Sequence, residues 1–333
     1  MMKSLLIPLT YFCLQTWLEI PQAKCQVELI RRTGGPRSRL SKRASFWKNL
    51  FPRTKLLKLS MMPDAFDDQY LGCAEKMYTC AHDLLQEEIK MSSSFSRVWK
   101  NAAKKWTDVK KYSRRSDFKD EYGIAIVAYT EKPEDKNEAF SSTFNKAVRE
   151  NGTSLHDYMT NFQFKAFHYY LTRALQVLRN GCNVTYSMTL YRGTKSRYTG
   201  SGFIRFGHFS SSSIRKDVAE SFGTITFFTI HSCFGVEIRN LSQQPYQEEV
   251  LIPVHEIFNV TQGQGSNHFI LRSRNQTCSH FNCAYLGGEK NQTCVDNSAT
   301  RGGLAFPSVL SPSLFGGSVI LIHVAALKLF AGF

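Results

Sequence analysis

The stretch YQEEVLIP, residues 246–253, reads as a short apolar strand closed by a proline, with carboxylates at its start. Side chains alternate faces along a strand, so Gln247, Glu249 and Leu251 are expected on one face and Glu248 and Val250 on the other. One face then offers an amide and, two positions on, a carboxylate. A carboxylate held in such a place can stabilise positive charge developing on a neighbouring group, whereas the amide beside it carries no charge and takes no proton. Two earlier stretches carry compatible groups. LYRGT (190–194) puts Arg192 at a strand end, where a guanidinium can fork onto phosphate oxygens, and follows it with Gly193, where a ligand can approach the backbone closely. FSSSS (209–213) closes another strand with hydroxyls, Ser211 among them. Taken singly, each has an ordinary reading: a surface ion pair, a turn, a solvated acid. Their order is what sets them apart, an Arg, then a Ser, then a Glu two places after a polar residue.

The elements that must position these groups change character along the chain. Residues 65 to 120 read mostly as helix, in FDDQYLGCAEKMYTCAHDLLQEEI (66–89) and FSRVWKNAAKKW (95–106). YGIAIVAYT (122–130) reads as a buried strand. In the stretch 161–178, Phe164, Phe167, Leu171, Ala174, Leu175 and Leu178 recur at helical intervals, and Asn180-Gly181 ends that helix. Beyond it come short β-rich runs separated by Gly, Asn and Ser: VTYSMTLYRGT, FIRFGHFSSSS, TITFFTIHS, EEVLIP, EIFNVTQ and HFILRSR. Helices first and strands later argue an α+β domain with the strands gathered in a sheet or sandwich. No repeat and no long linker appears between 61 and 285.

The formal charge of +15 suggests a nucleic-acid binder, but its placement argues otherwise. Residues 26–60 hold ten Lys and Arg against the single acid Glu28, so most of the excess sits in an N-terminal segment, read as a solvated basic arm or as a pro-segment cut at Lys42-Arg43. Residues 1–25 have the layout of a secretory signal peptide, with Lys3 before an apolar run and a small-residue site near Cys25. Residues 295–333 pass from small residues through a spacer to an apolar end with no charged tail after it, the layout of a GPI-anchor signal; a plain transmembrane helix is the alternative, against which Lys328 counts. The folded domain is therefore expected over 61–294, carried to the cell surface. Six sequons, at Asn151, Asn183, Asn240, Asn259, Asn275 and Asn291, suit a glycosylated surface protein. Seven cysteines remain after the leader, without zinc-ligand spacing, so disulfides are expected, with one thiol left over. No metal site is visible.

The Arg–Ser–Glu order resembles the R-S-E signature of the vertebrate ecto-mono-ADP-ribosyltransferases and their bacterial toxin relatives. FDDQYLGC (66–73), FHYYLTRALQVL (167–178), LYRGT, FIRFGHFSSSS, EEVLIP and LRSRNQTCSHFNC (271–283) look like that family's landmarks, in order, from about 61 to 294. The resemblance implies an α+β fold whose helical N-terminal part precedes a two-sheet β core clasping NAD+, which is substrate rather than resident cofactor. It implies that Arg192 binds NAD+, that Ser211 is the first serine of an S-T-S motif written here S-S-S, and that Glu249 is the catalytic glutamate. It also implies Cys73–Cys278 and Cys182–Cys233 bridges, with Cys283–Cys294 as a possible third and Cys80 odd. Chemistry agrees with these roles. Nicotinamide leaves its ribose as a neutral ring, so no acid is needed to protonate it, and the sugar left behind is oxocarbenium-like. Glu249 can stabilise that charge, Ser211 can fix the ribose or Glu249, Gly193 can offer backbone groups to the carboxamide, and Phe222 either stacks on a ring or packs in the core.

One position departs from the pattern. Family members that modify arginine carry Glu at both ends of an E-x-E motif, and here the first is Gln247. A guanidinium stays protonated above pH 12, so making it a nucleophile calls for a base or an anion. Glu248, on the opposite face, is not expected to substitute. Cleavage of the nicotinamide bond then survives with water as the easier acceptor, and an NAD+ glycohydrolase is expected ahead of a full arginine-specific transferase or an inactive surface antigen of the same fold. Surface or secreted proteins remain possible acceptors, a lipid anchor is the expected membrane link, and nucleic acid is not an expected partner.

Overall fold

A computed structural model describes residues 56–113, 115–133 and 138–296, and the structural statements below concern those residues. The helical half opens with α1 (Ala74–Met91) and α2 (Ser93–Val109). Between them Ser92 caps α2, its hydroxyl accepting the Phe95 amide at 3.1 Å. Then follow α3 (Asp120–Tyr129), α4 (Phe140–Glu150), α5 (Leu155–Asn161), α6 (Lys165–Leu178) and the short α7 (Cys182–Tyr186). The spacing of apolar residues locates α6 well. It fails for α3, which was expected as a strand. Seven of its ten residues are buried, so no polar face marks the 3.6-residue period, and a helix covered on all sides leaves the same unbroken apolar run as a buried strand. Gly123 lets α3 meet α2 closely: a Cβ there would lie 2.3 Å from the Trp106 ring.

Two further corrections concern helix limits. The VTY part (184–186) of the run before Arg192 lies in the helix α7, and Ser187 and Met188 turn out of it, so neither is strand. Residues 66–73 are not helical either, because Asp67 and Asp68 are buried and bind backbone amides of distant residues. Asp67 accepts from His280 and Phe281 and pairs with Arg205 Nη1 at 2.5 Å; Asp68 accepts from Tyr70, Cys283 and Ala284.

The strands are β1 (Leu56–Lys58), β2 (Leu190–Thr194), β3 (Arg197–Thr199), β4 (Gly202–Ile204), β5 (Ser210–Ser213), β6 (Thr226–His231), β7 (Val236–Glu237), β8 (Glu249–Ile252), β9 (Glu256–Gln262), β10 (His268–Ser279) and β11 (Val295–Asp296), with α8 (Lys216–Ser221) between β5 and β6. The main sheet runs β4-β9-β10-β6-β2-β5-β8-β7, with β11 on β10, and β1 pairs with β3 in parallel. The two-sheet expectation is met in a specific way. β2 and β5 are joined by one register pair, Tyr191 with Ser213, so the β4-to-β2 section and the β5-to-β7 section diverge on either side of that link. Val250 and Ile252 of β8 pack with Leu190, Ile230 and Phe258 of the other section, while Leu251 points into the helical core with Phe209. Strand β8 is thus buried on both faces, which is why its sequence is continuously apolar after Glu249.

The folded part begins earlier than 61. Leu56–Lys58 pair with β3, Leu59 is buried, and the Arg205 amide donates to the Ser60 carbonyl. At the other end it extends past 294, through β11. The disulfides also differ in part. Cys182 is bonded to Cys233, but Cys73 is bonded to Cys283 and Cys278 to Cys294. The Asn282 side chain grips both backbone groups of Leu71 and Asp68 holds the amide of Cys283, which sets Cys283 beside Cys73. Strand β11 runs alongside Cys278 and brings Cys294 to it. Cys80 is disulfide-bonded too, so it is not the odd thiol expected. The leader, the greater part of the basic arm and the expected anchor signal lie outside the described residues. No helix among the described residues is long and apolar enough to cross a membrane.

Candidate active site

Where β2 and β5 part, a cleft of about 700 Å³ opens between the sheet, α3, α4 and α8. Arg192, Gly193, Ser211, Phe222, Gln247 and Glu249, the six cleft residues singled out from sequence, all line it. That volume suits a ligand of cofactor size.

Glu249 is the first residue of β8 and shares the face of Leu251, the side on which the helices lie. It is buried, 4% exposed. Burial raises its carboxyl to about 7, against the lowering effects of the Ser211 hydroxyl and the Arg192 guanidinium. Ser211 lies opposite Leu251 in the β5–β8 ladder, and Ser213 opposite Glu249, so both hydroxyl residues sit on the face of the acid. Arg192 Nη1 reaches across the gap between β2 and β5 and donates to the Ser211 carbonyl at 2.5 Å. Arginine, serine and glutamate are therefore one constellation, although 57 residues separate the first from the last.

Sequence reasoning missed the groups that brace Ser211 from the helical side. The Tyr129 hydroxyl, at the end of α3, donates to the Phe209 carbonyl (2.9 Å), accepts from Asn145 Nδ2 (2.9 Å) and faces Ser211 Oγ at 3.5 Å. Asn145, from α4, also takes the Phe209 amide on its Oδ1 (3.1 Å). The two side chains fasten both backbone polar groups of Phe209, two residues before Ser211. Burial and the nearby Glu249 push the Tyr129 phenol up to about 12, so it stays protonated. His208, also in the cleft wall, donates from Nδ1 to the Phe206 carbonyl at 2.7 Å; burial, then Arg192 and Arg149, drive it well below its usual range, so it is neutral. Tyr129 belonged to the run misread as strand, and Asn145 looked like any polar helix residue. No spacing signal pointed to either.

The face assignment of Gln247 needs correction, although its location in the cleft stands. Pro245–Gln247 form a 3-10 turn, and Glu248 follows in the left-handed region with φ of 44°, so strand alternation starts only at Glu249. Ser213 Oγ donates to the Gln247 carbonyl at 2.7 Å and fixes the turn to β5. Glu248 is drawn outward to Arg239 Nη1 at 3.3 Å. Gly193 also has a different reason for being glycine. A Cβ there would strike the carbonyls of Gly223 (2.2 Å) and Ala219 (2.3 Å), so the close approach it permits is that of α8 and the loop after it. Phe222 ends α8 on the cleft rim, 53% exposed, which rules out the core-packing alternative. All six sequon asparagines are at least partly exposed. Among the described residues no cluster of side chains suits a metal ion.

Residues 59–279 match the family description NAD:arginine ADP-ribosyltransferase. The chain is 40% identical over 284 residues to ecto-ADP-ribosyltransferase 5 of Mus musculus, covering 82% of this chain and 90% of that protein. It is 42% identical over 247 residues to T-cell ecto-ADP-ribosyltransferase 2 of Rattus norvegicus, covering 72% and 84%. The crystal structure of the eucaryotic mono-ADP-ribosyltransferase ART2.2 superposes with a TM-score of 0.60 at 42% identity, over 68% of this chain and 98% of that one. A mutant of ART2.2 solved in complex with NAD gives a TM-score of 0.59 at 43% identity, with the same coverage. With matching sequence over most of its length and a matching fold, the chain belongs to the vertebrate ecto-mono-ADP-ribosyltransferase family.

Proposed function

We propose that this protein cleaves the bond between nicotinamide and ribose in NAD+ and passes ADP-ribose to water more readily than to arginine. The observation that carries this reading is one cleft in which Glu249, Ser211 and Arg192 converge with an amide, Gln247, at the acid's side. Arg192 and the exposed Phe222 ring serve to bind the dinucleotide, the first through a phosphate and the second by stacking. The Glu249 carboxylate faces the ribose as the C1′–N bond breaks. The bonding pair leaves with nicotinamide, which becomes neutral, and the cationic sugar is held by the carboxylate. Ser211 holds the acid or the ribose in register. A water oxygen then bonds to C1′ and its proton passes to solvent, giving ADP-ribose, nicotinamide and H+. For arginine as acceptor the guanidinium must lose a proton as its nitrogen attacks, and Gln247 supplies neither charge nor base. Surface display through a lipid anchor and glycosylation at the six sequons complete the proposal, with surface or secreted proteins as minor acceptors.

The test measures nicotinamide release and labelled ADP-ribose incorporation side by side, with agmatine or surface proteins as acceptors. Release at the same rate with and without acceptor, with little incorporation, supports the reading. Gln247→Glu is expected to raise the incorporated share, and an unchanged share would remove Gln247 as its cause. Dinucleotide left intact after long incubation would refute the activity altogether.

A further inference from the structure

The turn that carries Gln247 is tied to the end of α3. The Gln243 amide donates to Thr130 Oγ1 (3.0 Å), Gln243 Nε2 to the Val127 carbonyl (3.1 Å) and Gln244 Nε2 to the Thr130 carbonyl (3.1 Å). The third bond has a fixed direction. A backbone carbonyl only accepts, so Gln244 must turn its NH2 toward Thr130 and its oxygen the other way. That oxygen receives Gln247 Nε2 at 3.0 Å and the Tyr246 hydroxyl at 2.9 Å. The polarity set by one carbonyl on α3 thus passes through Gln244 to the residue beside the catalytic acid. Gln247 gives its NH2 to Gln244, and its side-chain oxygen is the atom that Gln244 does not engage. Both glutamines line the cleft.

We propose that Gln244 is a positioning residue that decides what position 247 can be: its oxygen, aimed there by the Thr130 carbonyl, holds an amide in place and opposes a carboxylate. The inference rests on the reading of Gln247 given above and extends it to the residue behind it. With an amide at 247 the acceptor side of the cleft is offered a neutral carbonyl oxygen, suited to holding the O–H of a water molecule. A carboxylate at 247 would set oxygen against oxygen at hydrogen-bond distance. Turning the Gln244 amide round would relieve that contact only by setting oxygen against the Thr130 carbonyl. The carboxylate must therefore swing away or keep a proton, and in either case it serves an incoming guanidinium poorly. Conversion of this enzyme to an arginine transferase is accordingly a two-residue change, with Gln247→Glu alone giving a partial one.

The experiment uses protein expressed from the full chain and reads the ratio of ADP-ribose transferred to agmatine to ADP-ribose released to water, across pH 5 to 9. The variants are Gln247→Glu alone and combined with Gln244→Met, which keeps the length and removes both polar ends, or with Gln244→Lys, which presents a donor. The expected order of transfer share is Gln247→Glu, then the Met double variant, then the Lys double variant, with about tenfold between first and last. The acid limb of transfer should move to lower pH along the same series. A purely structural role for Gln244 predicts instead a lower share for the Met double variant, which cuts the tie to Thr130, and no gain for the Lys double variant over Gln247→Glu alone. Equal transfer shares and equal limbs in all three would overturn the proposal while leaving the role of Gln247 intact. A failure of Gln247→Glu and both double variants to raise the transfer share would end both readings together.

Discussion

Burial lifts the Glu249 carboxyl from 4.5 to about 7, and the Ser211 hydroxyl and Arg192 guanidinium draw it only part of the way back. Two consequences follow at this residue. The proposed mechanism uses Glu249 as the carboxylate, so kcat/KM for NAD+ cleavage should fall about tenfold for each pH unit below 7, as followed by nicotinamide release. The limb in kcat should lie lower, because bound NAD+ brings a positive charge to the acid. The second consequence concerns stability. Between 4.5 and 7 the folded protein retains a proton that the unfolded chain has lost, so this group's contribution to stability falls as pH rises through that window. Glu249→Gln should therefore raise Tm at pH 8 relative to the parent and leave it little changed at pH 4, while lowering cleavage by about 10²–10³-fold. A melting temperature that drops at pH 8 would show that the charged form is better accommodated than its burial suggests.

At the level of elements, the serine strand is set from outside its own sheet. α3 and α4 bring Tyr129 and Asn145 to the Phe209 backbone, its carbonyl held by both side chains and its amide by Asn145, and β5 is thereby aligned before Ser211 is reached. Asn145→Ala leaves the Phe209 amide without its side-chain partner and should cost about 1–3 kcal/mol in denaturant unfolding. Because the strand shifts with it, kcat for cleavage should fall more than KM rises. A stability loss with unchanged kinetics would show that β5 is held sufficiently by β8. This bracing was not legible in sequence. The run 122–130 showed an apolar segment but not its period, since a helix buried on every side gives no polar residues to count. Helix α6 was legible because its half-buried polar residues Lys165, Arg173 and Gln176 interrupt the apolar run at helical spacing. Strand β8 was legible because a buried strand between a 3-10 turn and a proline is short and apolar, whereas the turn itself, with Glu248 at positive φ, was read one element too long.

Across the whole molecule, the N-terminal and C-terminal parts of the described chain are fastened to each other. The Arg205–Asp67 pair is wholly buried, and Arg205 donates further to the carbonyls of Met61, Met62 and Cys278. Asp67 serves the His280 and Phe281 amides as well, so one ion pair ties the entry to α1, the strand region after β4 and the end of β10. Asp67→Ala would strand a buried guanidinium and should lower unfolding free energy by about 3–5 kcal/mol, or abolish secretion of folded protein. A loss below 1 kcal/mol by denaturant unfolding would mean that Arg205 finds water. The Cys73–Cys283 bridge closes a separation of 210 residues across the same seam, and its removal by paired serines should cost about 2–5 kcal/mol.

The sequence by itself determined the chemistry on offer: an arginine, a serine run and a glutamate in a set order, an amide where a second acid would stand, and an α+β succession of elements around them. Such features are local, carried by residue type and short spacing, and need no partner to be read. Which residues meet was decided by tertiary structure alone. The cysteine partners, the buried Asp67–Arg205 pair, the Tyr129–Asn145 brace and the hydrogen-bond direction that runs from Thr130 through Gln244 to Gln247 each join segments brought together only by the packed core. A hydrogen bond or disulfide between distant segments leaves no period in the chain, because the path that brings its ends together is fixed by every contact between them.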